Sequence, residues 1–248
     1  TGIAGGVSPS LNPALNISET SYFQFSYNQW LGDIKGSHTS YHWGRKIPQV
    51  ISIQSWNAKD LELRNDIPID VPEGTFSVNN ISTAYTISHN FRSPFRFGMR
   101  IKANYSHLFI ESISSISFDA GVIYRINSII TSGLVVRNLG YKYTDNLKSD
   151  LPMEIGIGTK FEIPYKISIL VDAINMSEKG LDYRFGLQTD WQWINLSAGV
   201  SNNTNRQAKA LGFSFNYRKW NFNYGVYFHE NSILGTTLPQ FLDIRRYL

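Results

Sequence analysis

His38 and His42 stand four residues apart, a spacing that could serve a metal ion if a third ligand joined them. On a helix they would share a face; on a strand they also share a face, with one inward position between them. No third ligand follows from the sequence, and His89, His107 and His229 are isolated, so no metal site is expected. The chain has no Cys, which removes disulfides, thiolate nucleophiles and cysteine-held metals. It carries no Gly-x-Ser-x-Gly elbow, phosphate loop or dinucleotide fingerprint. The expectation is a non-enzymatic protein with no catalytic residues and no cofactor. What remains chemically is a set of charges of both signs: Arg100, Lys102, Asp119, Arg125, Arg137, Glu154, Lys160, Asp172, Arg184 and Asp190.

Those charges alternate with apolar residues. Phe97, Met99, Ile101, Ala103 and Tyr105 fall on one face of a strand, with Gly98, Arg100, Lys102 and Asn104 on the other. Ile116, Phe118, Ala120, Val122 and Tyr124 repeat the pattern against Ser117, Asp119, Gly121 and Arg125, as do Tyr183, Phe185 and Leu187 against Arg184, Gly186 and Gln188. About fourteen such segments run from residue 22 to residue 245, and the even number suits a bacterial barrel. No run approaches the ~18 apolar residues of a spanning helix. The fold class read from this pattern is an all-β transmembrane antiparallel β-barrel of about 14 strands.

A soluble β-sandwich also alternates apolar and polar faces. Three features favour the membrane. Charged residues are only 17% of the chain, and the polar face is rich in Gly, Ser and Asn. Trp30, Trp43, Trp56, Trp191, Trp193 and Trp220 fall at segment ends, as an interface girdle would. Connections alternate in length: Leu31–Gly36, Asn57–Asn79, Leu139–Pro152 and Asn202–Ala208 are long and polar, whereas Asn127–Ser128, Pro164–Lys166 and Arg218–Lys219 are short. Outer-membrane barrels keep short turns on the periplasmic side and longer loops outside. The net charge of +4 is mild and has no basic tract, so nucleic acid is not an expected partner.

Inside such a barrel the opposite charges must pair or stay wet, and the expected arrangement is a lumen charge network. The glycines Gly98, Gly121, Gly133, Gly156, Gly158, Gly186, Gly199, Gly212 and Gly225 all project inward in mid-strand. Glycine there marks either curvature or the close approach of another segment. The N-terminus offers an occupant, so residues 1–20 are read as a lumen segment and residues 21–248 as the barrel, with Asn12, Pro13, Ala14 and Leu15 as the plug facing those glycines.

Gly5-Gly6-Val7-Ser8 followed by Asn12-Pro13-Ala14-Leu15 resembles the start of FadL-like outer-membrane proteins. Glu73-Gly74-Thr75-Phe76-Ser77, Val136-Arg137-Asn138-Leu139-Gly140 and Leu151-Pro152 follow in an order that resembles the PorV/PorQ branch, barrels associated with type IX secretion. The resemblance implies fourteen strands around an N-terminal lumen segment, an exported chain with its signal peptide removed, and a bacterial outer-membrane location. It implies a docking or scaffold role for secreted or surface proteins, with outer-membrane lipid and protein partners. The partner-binding surface expected is the acidic Asn57–Asn79 loop, with Asp60, Glu62, Asp66, Asp70 and Glu73. The alternatives are a FadL-like channel for hydrophobic small molecules, against which the polar inward face speaks, and a structural barrel in a larger assembly.

Overall fold

The computed structural model describes residues 2–5, 10–16, 18–30, 34–44, 46–63, 72–92, 94–144, 147–177, 179–203, 206–229 and 238–248. Its strands are β1 (Tyr22–Gln29), β2 (Lys35–Trp43), β3 (Gln49–Leu63), β4 (Gly74–Arg92), β5 (Phe95–Leu108), β6 (Glu111–Arg125), β7 (Ile130–Thr144), β8 (Leu147–Asp150), β9 (Glu154–Ile163), β10 (Ile167–Met176), β11 (Gly180–Trp191), β12 (Ile194–Asn203), β13 (Arg206–Tyr217), β14 (Trp220–His229) and β15 (Gln240–Tyr247). All pairings are between antiparallel neighbours, β6 pairs with β7, and β1 pairs with β15. Fourteen strands therefore close a barrel, while β8 pairs only with β7 as a four-residue spur. Closure removes the free sheet edges that an open sheet of this length would expose.

The period-two pattern decides which way each side chain points. Along β5, Met99 is 54% exposed on the outside while Gly98 and Arg100 are buried on the inside. The same exposed apolar rows recur on β1, β9, β11 and β13, with Phe23, Ile157, Phe185 and Leu211 among them. A contiguous outer apolar surface of this kind is stable only against lipid. The buried residues lie instead in the lumen, where Ile3, Val135 and Ile174 form a small apolar cluster.

The structure corrects the sequence reading at several places. The Asn57–Asn79 connection is mostly strand. β3 runs on to Leu63 and pairs with β4 from Gly74, across a register shift between Ala58 and Leu61. Asp60 sits at that bulge with φ 56°, and Glu62 pairs opposite Thr75. These charges read as loop because a bulge breaks the alternation that marks a strand. Glu73 precedes β4, and Asp66 and Asp70 lie outside the described residues. Leu139–Pro152 is likewise largely the β7–β8 hairpin. Trp56 does not belong to a girdle: it points inward, its ring filling the space where Gly36 lacks a side chain.

Candidate functional site

The plug begins with local chain chemistry. Pro13–Leu15 forms a single 3-10 turn with Pro at its start, where a missing N–H costs nothing. Asn12 caps it, accepting a hydrogen bond from the Ala14 N–H at 3.0 Å. The Asn12 side-chain amide then donates to the Ile3 carbonyl at 3.0 Å and to the Leu134 carbonyl of β7 at 3.3 Å. Asn12 and Ala14 are wholly buried. One side chain thus ties the two parts of the plug to each other and to the wall. Ser88 of β4 donates to the Pro13 carbonyl at 2.7 Å, and Arg100 of β5 donates to the Ser10 carbonyl at 3.3 Å.

The inward glycines divide into two groups. A side chain on Gly98 would strike the Pro13 backbone, one on Gly121 would strike Asn12, and one on Gly133 would meet the Ile3 carbonyl. Gly156 and Gly158 are equally close to the Ile3 side chain. Those five face the plug. Gly212 and Gly225 do not: the space beside Gly212 holds only Ser197 and backbone, and that beside Gly225 only the Leu211 carbonyl at 3.6 Å. Gly186 and Gly199 pair across β11 and β12 and line a hollow of about 200 Å³ that Ala210 and Gly212 share. The expectation that all nine glycines face the plug is therefore wrong for β11–β14.

The charges resolve into separate pairs rather than one network. Asp119, wholly buried, is bridged by Lys102 at 3.0 Å and Arg100 at 3.5 Å, and accepts a third bond from the Asn138 N–H at 2.9 Å. Arg137 pairs with Glu154 at 2.8 Å, Lys160 with Glu162 at 2.7 Å, and Arg184 with Asp182 at 2.7 Å. Asp190 bonds Asn195. Asp172 holds the plug: it accepts the Gly2 N–H on one oxygen and the Ile3 N–H on the other at 3.2 Å. Arg125 stands at the short-turn mouth. Ile3 and Ser88 belong to no recognisable motif, so nothing in the sequence singles them out. The one available signal was the row of small inward residues opposite a buried-type Asn-Pro pair.

On the long-loop side of the plug lies a cavity of about 330 Å³. Its walls are polar, with Gln24, Ser26, Asn28, Ser52 and Gln54 beside both histidines. His42 stacks on Tyr22 with ring centroids 3.9 Å apart, and bonds Ser40 at 3.1 Å. Among the described residues no cluster of three His, Asp or Glu could hold a metal ion. On the outer face of β10–β14 the row Ile169, Leu187, Ala198, Leu211, Val226 has its smallest member in the middle. Two apolar depressions of about 410 and 540 Å³ open over Ala198. They share wall residues with the inner hollow, among them Gly186, Ala198, Gly199 and Ala210, so small side chains separate the two there.

No family model and no curated protein matches the chain. Several solved structures share its fold. The CymD monoaromatic hydrocarbon channel aligns with a TM-score of 0.73 at 10% identity, covering 100% of this chain and 95% of that one. The toluene transporter TbuX of Ralstonia pickettii gives 0.71 at 10% identity, covering 100% and 96%. The toluene transporter TodX of Pseudomonas putida gives 0.70 at 10% identity, covering 98% and 93%.

Proposed function

We propose that this protein is a bacterial outer-membrane channel for small neutral, mainly apolar molecules, built like the FadL-like hydrocarbon channels, with a side exit through β11–β13. The observation that carries this reading is the paired hollow at Ala198, Gly186 and Gly199, apolar outside and lined by small residues within. The plug obstructs the axial path, so a solute entering from the long-loop side is left with the small-residue wall of β11–β13 beside it. The polar cavity on the way offers hydroxyls and amides. Its cations Arg100 and Lys102 both contact Asp119, and Asp243 also lines it, so the two positive charges stand against two carboxylates and these four groups carry no net charge. Fold likeness to monoaromatic hydrocarbon channels over the whole chain supports the same class. The test is uptake of labelled toluene by cells whose outer membrane carries the protein. Uptake should exceed that of cells lacking it and fall back when Gly199→Leu fills the hollow. Uptake equal to that of cells lacking the protein would overturn the reading.

A second reading, docking of exported proteins by a PorV/PorQ-like barrel, has its own observation. β3 beyond Ala58 and β4 before Val78 continue as a two-stranded hairpin past the ends of their other neighbours, β2 and β5. Neither strand pairs with a further strand there among the described residues, and such an edge is a template for strand addition by a partner. Isolation of the protein from its native membrane, with and without residues 59–77, would decide this: a partner retained by the shortened barrel excludes the hairpin as its seat.

A further inference from the structure

We propose that the short-turn mouth of the lumen, on the opposite side of the plug from the polar cavity, is a binding site for a phosphate group held by Arg96, Arg125 and Lys160. A cavity of about 270 Å³ lies there, roofed by Gly5 and Leu15 of the plug. Arg96 faces Ile123 across the β5–β6 ladder, and Arg125 follows two residues later on the same inner face. The two guanidinium groups are thus diagonal neighbours, with backbones roughly 7–8 Å apart. The only carboxylate at the cavity among the described residues, Glu162, is bound to Lys160 at 2.7 Å. Neither guanidinium has an ion pair or hydrogen bond among the described residues. Three cations against one carboxylate leave a surplus of two positive charges in a partly enclosed space.

Like charges so placed repel one another, and a dianion between them reverses the sign of the interaction. The planar fork of Arg matches phosphate oxygens two at a time, whereas Lys adds a point charge. Lys160 is held in position by the plug itself, because its stem occupies the space where Gly5 lacks a side chain. The ligand is a phosphate monoester or inorganic phosphate reaching the lumen from the short-turn side, or the headgroup of a phospholipid reaching round the rim.

The test is calorimetric titration of the whole purified barrel, in phosphate-free detergent, with inorganic phosphate and with glycerol 3-phosphate. Saturable binding is expected, weakened about tenfold by Arg96→Gln or Arg125→Gln, each of which removes a charge-assisted contact, and unchanged by Arg218→Gln in a distant turn. Heat-resistant gel mobility confirms that each variant is folded. Absence of saturation in the wild type, full affinity in the double Arg96→Gln/Arg125→Gln variant, or equal weakening by Arg218→Gln would overturn the proposal. Repeating the titration in nanodiscs separates the sources. Loss of phosphate binding in phospholipid discs, of phosphatidylglycerol or phosphatidylcholine, supports the site with lipid as its occupant, and binding retained in both supports a soluble phosphate.

Discussion

The two sides of this barrel use one sequence device for opposite ends. On β5–β9, inward glycines make room for a plug that touches them: Pro13 at Gly98, Asn12 at Gly121, Ile3 at Gly133, Gly156 and Gly158. On β11–β14, no plug segment among the described residues reaches the inward glycines: Ser197 stands beside Gly212, only the Leu211 carbonyl lies near Gly225, and Gly186 and Gly199 line a hollow that has apolar depressions on its outer side. Glycine in a strand loses packing and costs conformational entropy in either case. What differs is compensation. On the plug side the loss is offset by buried contacts and hydrogen bonds from Asn12, Ser88 and Asp172. On the other side no plug contact among the described residues offsets the loss, and a hollow of about 200 Å³ remains beside Gly186 and Gly199.

The largest expected effect comes from the carboxylate that holds the plug. Asp172 is buried and accepts two backbone N–H groups of residues 2 and 3. Hydrogen bonds to a charged group contribute about 1.5–3 kcal/mol each, so Asp172→Ala should weaken plug docking by about 3 kcal/mol, near two orders of magnitude in its open population. Proteinase K should then cut the N-terminal segment much faster while leaving the barrel intact. Asp190→Ala, on the unplugged side and exposed, should leave that rate unchanged. If both variants behave alike, the plug is held by something other than Asp172.

A smaller effect tests whether the unplugged side is wet within and greasy without. Phe185 is 52% exposed on the outer face of β11, and Gln188 lines the inner hollow. Phe185→Arg should cost about 2–4 kcal/mol if its level is near the bilayer midplane, whereas an inward Arg finds water or a carboxylate. Refolding yields into liposomes should be low for Phe185→Arg and close to wild type for Gln188→Arg. Equal yields would reverse the assignment of inside and outside, and with it the side exit.

Much of this was legible in the sequence, and the limit has a physical cause. Strict alternation reports which face each residue takes, so Met99 outward and Arg100 inward could be read directly. Alternation also reported inward glycines, but not what lies opposite them, because that depends on where residues 2–16 settle in three dimensions. Asp172 read as one more lumen charge; that it binds the backbone amides of Gly2 and Ile3 is set by the position of Ile3, which no local pattern encodes. Strand ends were misjudged where bulges interrupt the period, at Asp60 on β3 and at Asn138, whose φ of 61° marks the break on β7. Charges such as Asp60 and Glu62 near a predicted turn looked like loop because the ladder's continuation past a bulge is a property of two strands, not of one.

The smallest effect is also the sharpest, because it asks a single methyl group to tell the two sides apart. Gly121→Ala places its methyl against the Asn12 carboxamide, which already binds Ala14, Ile3 and Leu134 and so cannot turn aside without losing those bonds. Overpacking of this kind costs about 1–3 kcal/mol. Gly225→Ala meets only the Leu211 carbonyl at 3.6 Å, an ordinary contact, and removes some unfolded-state freedom, which favours the variant by about 0.4–1 kcal/mol. Denaturant unfolding in detergent should therefore shift in opposite directions for the two variants, with plug protection lost only in the first. A loss of stability in Gly225→Ala equal to that in Gly121→Ala would mean that β14 is also pressed from within, and that the hollow beside it is occupied in the folded protein.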